Sequence, residues 1–247
     1  MMEAKIRKPA VAGSFYAGDT KELRQDVQNC FSRCKNPLME NVQAVIVPHA
    51  DYVFSGVTAA SAFAAINPDA EYEHIFLLGP SHHVYLGKAS VNIGASAYAT
   101  PLGNVPVDTA LCKDLMEKSD AITYAQEAHE SEHCLEVELP FLQYHMKKIP
   151  SIVPIIIATQ ELTTLKKIAD TLKPYLNEKN LFVISSDFSH YPAYKDAEIV
   201  DGLTKDSIMT GKVEAFVNAT LHNQELGIDH LATSACGMAP IATLLMM

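Results

Sequence analysis

Short apolar runs alternate with longer helical patterns along the chain. Strands are predicted where β-branched or apolar residues cluster, several of them apolar on both faces: Gln43–Val47, His74–Leu78, Ala89–Ile93, Ile152–Ile157 and Leu181–Ser185. A strand that is apolar on both faces is typical of a sheet covered by helices on two sides.

Helical spacing separates these runs. It is clearest at Leu162, Leu165, Ile168, Ala169 and Leu172, with Pro174 just beyond. Further helices are predicted for Val57–Ile66, Lys205–Leu221 and Cys236–Met247. The alternation predicts an α/β fold, layered α/β/α, with a central mixed and largely parallel sheet.

Domain organisation follows from what separates the elements. The chain carries no internal repeat and no Pro/Gly-rich linker, so we expect a single domain over residues 1–247. The sequence stops inside the apolar run Leu244–Met247, and we therefore expect a further C-terminal segment.

Charge and cysteine content narrow the classes of partner. The formal net charge of -10 over 247 residues disfavours nucleic acid and anionic membrane as partners. The 5 cysteines are odd in number and no signal peptide precedes them, which indicates a reducing, cytoplasmic setting without a disulfide framework. No apolar run approaches the roughly 20 residues that span a bilayer.

Reactive side chains follow three of the predicted strands. These residues are His49 after the first, His82 and His83 after the second, and Asp187 and His190 after the last. Ligands of open α/β sheets bind beyond the carboxyl ends of the strands, so the three loops are predicted to converge on one crevice. Imidazole is a common transition-metal ligand, although a lone His after a strand is more often a hydrogen-bonded loop residue.

Two further segments carry ligand-type residues. Cys236 precedes a predicted helix, whose dipole favours a thiolate, and Gly237 allows close backbone approach; the alternative is a buried structural cysteine. His129 to His133 match H-E-x-x-H, a zinc-peptidase spacing. We favour instead a helix start here, with Glu130 and Glu132 near its N-terminus and Leu135, Leu139 and Leu142 facing the core.

Together these motifs resemble the Memo family, known as AmmeMemoRadiSam system protein B, over almost the whole chain. The resemblance is carried by AVAGSFY at 10–16, VPHADYVFSG at 47–56, LLGPSHHV at 77–84, TPLGNVPVD at 100–108, HESEHCLEVELPFLQ at 129–143, VPIII at 153–157, SSDFSHY at 185–191 and ACGMAPI at 235–241. The family is similar to class III extradiol dioxygenases, which implies a LigB-like, phosphorylase/hydrolase-like architecture.

The resemblance also implies roles for individual residues. His49, His82 and Cys236 correspond to the metal ligands, and Asp187 and His190 to catalytic groups beside them. Tyr52, Ser81 and His83 are expected to bind substrate. The implied cofactor is an iron or copper ion without a nucleotide cofactor, and a Cys ligand in place of the dioxygenase carboxylate puts ring cleavage in question.

Two further readings stay open. The same dioxygenase-like scaffold can serve as a non-catalytic module that binds a peptide or a protein. The expected ligand is a small molecule or a peptide, and the gene association implies a radical S-adenosylmethionine partner. The chain also departs from the family pattern at Asp51, where Gly is usual. Asp51 is expected either to adopt a left-handed backbone or to bring a carboxylate near the pocket.

Overall fold

A computed structural model of the chain describes residues 5–34 and 38–247. Its central sheet confirms the predicted strands with small shifts of their ends: β2 (Ala44–Val47), β3 (His74–Pro80), β4 (Lys88–Val91), β8 (Ser151–Ala158) and β9 (Asn180–Ser185). A short strand, β7 (Ile122–Thr123), completes the order β2-β9-β3-β8-β4-β7. All neighbouring pairs are parallel except β4 with β8, so the sheet is mixed and largely parallel, as expected.

A second, smaller sheet was not predicted. It has the order β1-β5-β6 and consists of β1 (Ile6–Arg7), β5 (Ala97–Thr100) and β6 (Gly103–Pro106). These strands are short and mostly lack β-branched runs, which explains why periodicity alone missed them.

Helices cover the central sheet in two groups. In the first, α1 (Thr20–Ser32), α2 (Tyr52–Ala64) and α5 (Leu139–His145) contact one another. In the second, α9 (Met238–Met246) packs on β3 and β9 and contacts α6 (Leu162–Leu172), which in turn contacts α3 (Thr109–Lys118). The layered α/β/α prediction is confirmed, since β3, β8 and β9 are almost entirely buried between these layers.

One predicted helix is wrong in its extent. Instead of a continuous helix over Lys205–Leu221, the chain forms α7 (Tyr194–Met209) and α8 (Val213–Glu225). Gly211, with φ of 68°, turns the chain between them. A left-handed backbone ends a helix, and glycine adopts it without a Cβ clash.

Within the two described stretches of the chain, no helix is both long enough and apolar enough to cross a membrane.

Candidate metal centre

Sheet order brings the predicted loops together. Because β9 lies between β2 and β3 and is parallel to both, the carboxyl ends of all three strands meet at one edge. His49 follows β2, His82 follows β3 and Asp187 follows β9 at that edge. The predicted convergence of three strand ends is therefore confirmed.

The cluster at this edge contains two imidazoles and one thiol. One ligand atom from each of His49, His82 and Cys236 lies within 4.8 Å of the others. His49 Nε2 is 3.1 Å from Cys236 Sγ, and the rings of His49 and His82 meet edge to face at 5.1 Å. Residues separated by up to 187 positions in sequence thus present their donor atoms to one point.

Close backbone packing positions the thiol. Cys236 N donates to the Asp187 carbonyl at 3.2 Å, and Asp187 N donates to Cys236 Sγ at 3.3 Å. A Cβ on Gly237 would lie 2.6 Å from the Ser185 carbonyl oxygen and 2.4 Å from Ser186 Cβ. Only glycine permits this approach, as expected, and α9 begins at the next residue.

His49 is supported by a hydroxyl and a buried carboxyl on its far side. Its Nδ1 is 2.7 Å from Ser185 Oγ, and the Ser185 hydroxyl also lies 3.0 Å from Glu138 Oε1. His49, Ser185 and Glu138 are all buried. Burial raises the pKa of Glu138 well above its usual value, and the charge of Asp187 adds to this, whereas the Ser185 hydrogen bond opposes it.

His82 is supported by a carboxylate. Glu132 Oε1 accepts from His82 Nδ1 at 2.8 Å and from the backbone N–H groups of His133 and Cys134 at 3.0 and 3.1 Å. Glu132 Oε2 accepts from the His82 backbone N–H at 2.7 Å. Burial alone would raise the pKa of Glu132, but these hydrogen bonds and the His82 imidazole outweigh it and lower the pKa to about 2.

The two histidines consequently differ in electrostatics. Burial lowers the pKa of His49 well below its usual value, and the neighbouring His82 and His133 imidazoles lower it further. For His82, burial acts in the same direction, but hydrogen bonds to Cys236 and Glu132 outweigh it and raise the pKa to about 10. Burial therefore favours the neutral imidazole at His49, whereas His82 is linked to a negatively charged partner.

Asp187 and His190 lie where the sequence places them, beside the cluster. Asp187 Oδ1 accepts from the backbone N–H groups of His49 and Ala50 at 2.8 and 3.1 Å, and Oδ2 is 3.8 Å from His49 Nε2. His190 Nδ1 donates to the Phe188 carbonyl at 2.9 Å, which leaves Nε2 4.0 Å from Asp187 Oδ2. Asp187, His190 and Cys236 form a second set of donor atoms within 4.8 Å.

A cleft of about 550 Å³ opens beside the cluster. Its wall includes Ser81, His82, His83, Tyr85, Thr159 and Cys236. Ser81 and His83, expected to bind substrate, thus line this cleft. Tyr52 lies differently: its buried hydroxyl donates to the Val137 carbonyl at 2.6 Å, so the substrate role expected of it draws no support from this placement.

The structure adds a fourth imidazole that sequence reasoning did not assign to the site. The His133 ring stacks on His82 at 4.6 Å and meets His49 edge to face at 5.4 Å. Burial lowers its pKa, since the low-dielectric surroundings disfavour the charged form. Glu132, Ser185 and Glu138 were likewise missed as supporting groups. The H-E-S-E-H segment itself was the available signal, because it concentrates ligand-type residues inside a family motif.

The zinc-peptidase interpretation of that segment is contradicted. The short helix α4 (Glu127–Glu130) ends before Glu132, so His129 and His133 do not share a helical face, and Glu132 does not lie at a helix N-terminus. His129 is buried, with Nε2 3.0 Å from Ser90 Oγ and Nδ1 3.2 Å from Tyr98 Oη. The same segment does bury Leu135, Leu139 and Leu142, as expected.

Asp51 has an ordinary backbone. With φ of -50° and ψ of 143°, it precedes α2 and makes no side-chain capping hydrogen bond. Of the two alternatives for Asp51, the left-handed backbone is therefore excluded, and the departure from Gly at this position has no conformational cost.

The donor set fits a transition metal. Two imidazoles and one thiol within 4.8 Å are ligands that iron, copper and zinc accept. The Nδ1 atom of each imidazole has a hydrogen-bond partner, which is Ser185 for His49 and Glu132 for His82. Such a partner orients the ring, as ligating histidines usually require.

Comparisons with known proteins point to one family. Residues 7–247 match the family model described as Memo-like protein. A MEMO1 family protein of Methanopyrus kandleri is 32% identical over 247 residues, covering 96% of this chain and 84% of the relative. Another from Nitrosopumilus maritimus is 31% identical and covers 97% and 86%, and one from Schizosaccharomyces pombe is 37% identical and covers 77% and 62%.

Proposed function

The chain belongs to the Memo family, and from this premise and the geometry of the site we propose that it is a metal-dependent redox protein with a dioxygenase-like pocket. His49, His82 and Cys236 hold a non-haem iron or copper ion. The observation that carries the proposal is the meeting of these three donor groups within 4.8 Å at the carboxyl edge of the sheet.

The chemistry of the donors favours these metals. Imidazole nitrogen suits iron, copper and zinc, whereas a thiolate adds a soft, electron-rich ligand. A bound iron or copper ion would supply one-electron redox chemistry at the mouth of the cleft. The thiol lies 3.1 Å from the neutral His49 Nε2, so the two donors are already directed at a common point.

Residues beside the ligands handle protons and substrate. His190 has its Nδ1 committed to the Phe188 carbonyl, so its Nε2 is the atom available to exchange a proton with a substrate. Asp187 lies between His190 and His49 and holds the backbone at residues 49 and 50, which keeps both imidazoles oriented. A general acid or base must lie within hydrogen-bond reach of the reacting group, and His190 is placed for this at the edge of the cluster.

The cleft indicates the size of the substrate. A volume of about 550 Å³ lies within the range of about 300–1,000 Å³ that small-molecule sites occupy. Ser81 and His83 supply polar groups on its wall and Tyr85 an aromatic face, which suits a small molecule with both polar and planar parts.

Metal content tests the proposal directly. Untagged protein purified without chelator, or reconstituted with ferrous or cuprous ion under anaerobic conditions, is analysed by mass spectrometry beside the triple alanine variant of His49, His82 and Cys236. We expect one equivalent of iron or copper in the wild-type chain and its loss in the triple variant. His222→Ala is the control, since His222 is exposed on α8 and its loss leaves the metal in place.

A second function is favoured by one surface feature. Val53 and Phe54, in the first turn of α2 just beyond the His49 loop, are 83% and 80% exposed. Exposed apolar side chains of this size support a peptide-binding module on the same scaffold. Protein that takes up no metal on reconstitution, and binds peptide equally with and without chelator, would overturn the redox proposal in favour of this module.

A further inference from the structure

Ser185 stands at the centre of a buried hydrogen-bond junction behind His49. Its Oγ lies 2.7 Å from His49 Nδ1, 2.7 Å from the Cys134 carbonyl oxygen and 3.0 Å from Glu138 Oε1. A serine hydroxyl carries one proton and two acceptor lone pairs. Three neighbours therefore have to share one donor and two acceptor positions.

The Cys134 carbonyl decides how they are shared. A carbonyl oxygen only accepts, and at 2.7 Å from another oxygen it needs the hydroxyl proton between them. If Ser185 donated its proton to Glu138 instead, its Oγ and the Cys134 oxygen would face each other with no hydrogen between. The Ser185 proton therefore lies on the Cys134 side, and its two lone pairs face His49 and Glu138.

Both remaining neighbours must then donate. His49 donates from Nδ1–H, and Glu138 donates from a protonated carboxyl oxygen. The surroundings of Glu138 agree with a neutral acid: the residue is 0% exposed, and its Oε2 has no hydrogen-bond partner in the described part of the chain. A buried carboxylate without a compensating cation or donors is costly, and such groups take up a proton instead.

Glu136, two residues earlier, shows what an ionised neighbour needs. It is equally buried, but it accepts from Arg7 at 2.6 Å, Tyr16 at 2.7 Å and the backbone N–H groups of Ala10 and Val11. Four donors, one of them a guanidinium, surround that carboxylate. Among the described residues, Glu138 has only the Ser185 hydroxyl beside its carboxyl group, and the proton of that hydroxyl is committed elsewhere.

We propose that Glu138 is a permanently neutral carboxylic acid that donates to Ser185, and that Ser185, whose own proton is committed to the Cys134 carbonyl, is the positioning residue that holds His49 in the Nδ1–H tautomer. The Nε2 lone pair of His49 is thereby directed at Cys236, whether or not an ion is present. The tautomer is a property of the metal-free chain, and only its value for metal binding rests on the proposed function.

Spectroscopy of metal-free protein tests the protonation states. Infrared difference spectra between the wild-type chain and Glu138→Gln, at neutral pH, are expected to show the carbonyl band of a protonated carboxyl and no carboxylate bands. Nitrogen-15 NMR of histidine-labelled protein is expected to assign the proton of His49 to Nδ1. Carboxylate bands lost in Glu138→Gln, or a His49 proton on Nε2, overturn the proposal.

Variants separate positioning from a merely structural role. Glu138→Gln retains a donor toward Ser185, so the His49 tautomer is expected to be unchanged. Ser185→Ala removes the acceptor for Nδ1–H, and the tautomer signals are expected to become mixed. Unchanged Nδ1–H signals in a folded Ser185→Ala protein overturn the proposal; if that variant does not fold, the wild-type and Glu138→Gln spectra decide alone.

Metal affinity then distinguishes this proposal from the preceding one. By calorimetric titration with the metal alone, Ser185→Ala is expected to bind about 10- to 100-fold more weakly, as loss of such supporting partners typically does. Glu138→Gln is expected to bind within a few-fold of wild type. If His49 carries its proton on Nδ1 and the chain binds no iron or copper, only the metal-dependent function is contradicted. If the chain binds metal and Glu138 is deprotonated, only the inferred neutral state of Glu138 is contradicted.

Discussion

The two sides of the candidate metal centre hold their histidines by opposite means. On one side, His82 rests on the carboxylate of Glu132, whose two oxygens together accept from one imidazole and from the backbone N–H groups of residues 82, 133 and 134. On the other, His49 rests on a hydroxyl and a buried acid, Ser185 and Glu138. Both supporting acids come from one segment of seven residues, 132–138.

Hydrogen-bond donors, rather than burial, determine the charge of these two carboxyl groups. Glu132 and Glu138 are both buried, at 2% and 0% exposure, so burial does not distinguish them. The His82 imidazole and the backbone donors do, since hydrogen bonds to the charged form lower a pKa and their absence leaves desolvation to raise it. The negative charge of Glu132 reaches His82 directly, whereas His49 receives no charge from its support.

The largest effect is expected from removing the charged support. Glu132→Ala leaves the His82 imidazole and the backbone N–H groups of His82, His133 and Cys134 without their acceptor, and of these residues Cys134 is fully buried. We expect a loss of about 3 kcal/mol or more in the free energy of unfolding, since unsatisfied buried groups cost about 1–3 kcal/mol each. Urea denaturation measures it, with the exposed Glu130→Ala as control. Equal midpoints for the two variants would show that Glu132 is not the support described.

On the side that holds His49 and Cys236, the expected disruption comes from added side-chain volume rather than from the loss of a charged group. Gly237→Ala places a Cβ 2.6 Å from the Ser185 carbonyl oxygen, so the backbone has to shift. We expect a loss of about 1–3 kcal/mol, as for other overpacked sites, together with weaker metal binding.

Gly202→Ala is the matched control for this substitution. Nothing lies within 4 Å of a Cβ at Gly202, which is inside α7, so alanine is expected to stabilise by up to about 1 kcal/mol through helix propensity. If Gly202→Ala destabilises the chain as much as Gly237→Ala does, the close approach of the backbone at Gly237 is not the cause of the loss.

Acid sensitivity is expected from His129, in the segment just before Glu132. Burial lowers the pKa of His129 to about 3, and the nearby Arg7 charge acts in the same direction. Between pH 6.5 and 3 the unfolded chain binds a proton that the folded chain does not. Stability is therefore lost as pH falls through this window, by at most about 1.4 kcal/mol per pH unit for one proton.

Unfolding midpoints measured from pH 7 to pH 4 check this contribution. His129→Gln is expected to fall less steeply than wild type, whereas His222→Gln on the exposed face of α8 is expected to follow wild type. If the unfolding midpoint of His129→Gln falls with pH as steeply as that of the wild type, a group other than His129 binds the proton that destabilises the folded chain.

The smallest effect is expected from the neutral support. Glu138→Gln replaces one uncharged hydrogen-bond donor by another of the same shape, so we expect a change below about 1 kcal/mol. Glu132→Gln, which removes a charge that four donors require, is expected to cost more. Thermal unfolding of the two amide variants side by side tests the comparison most directly, and a larger loss for Glu138→Gln would reverse it.

The amino-acid sequence by itself determined the framework of this protein. Apolar runs located the major strands because a buried strand must be apolar on both faces. His49, His82 and Asp187 follow three of these strands in the sequence. Their convergence was predicted from the rule that ligands bind where the carboxyl ends of parallel strands meet. Gly237 beside Cys236 indicated the close approach that the structure shows.

The groups that support His49 and His82, and the charge state of those groups, depend on the tertiary structure. The spacing of His129 and His133 suggests a shared helical face, but α4 ends at Glu130. The His129 ring therefore contacts Ser90, whereas the His133 ring stacks on His82. Glu132 and Glu138 are the same residue type six positions apart. Their difference depends on the His82 loop, whose imidazole and backbone N–H reach Glu132 and not Glu138, and local sequence does not encode a contact across 50 positions.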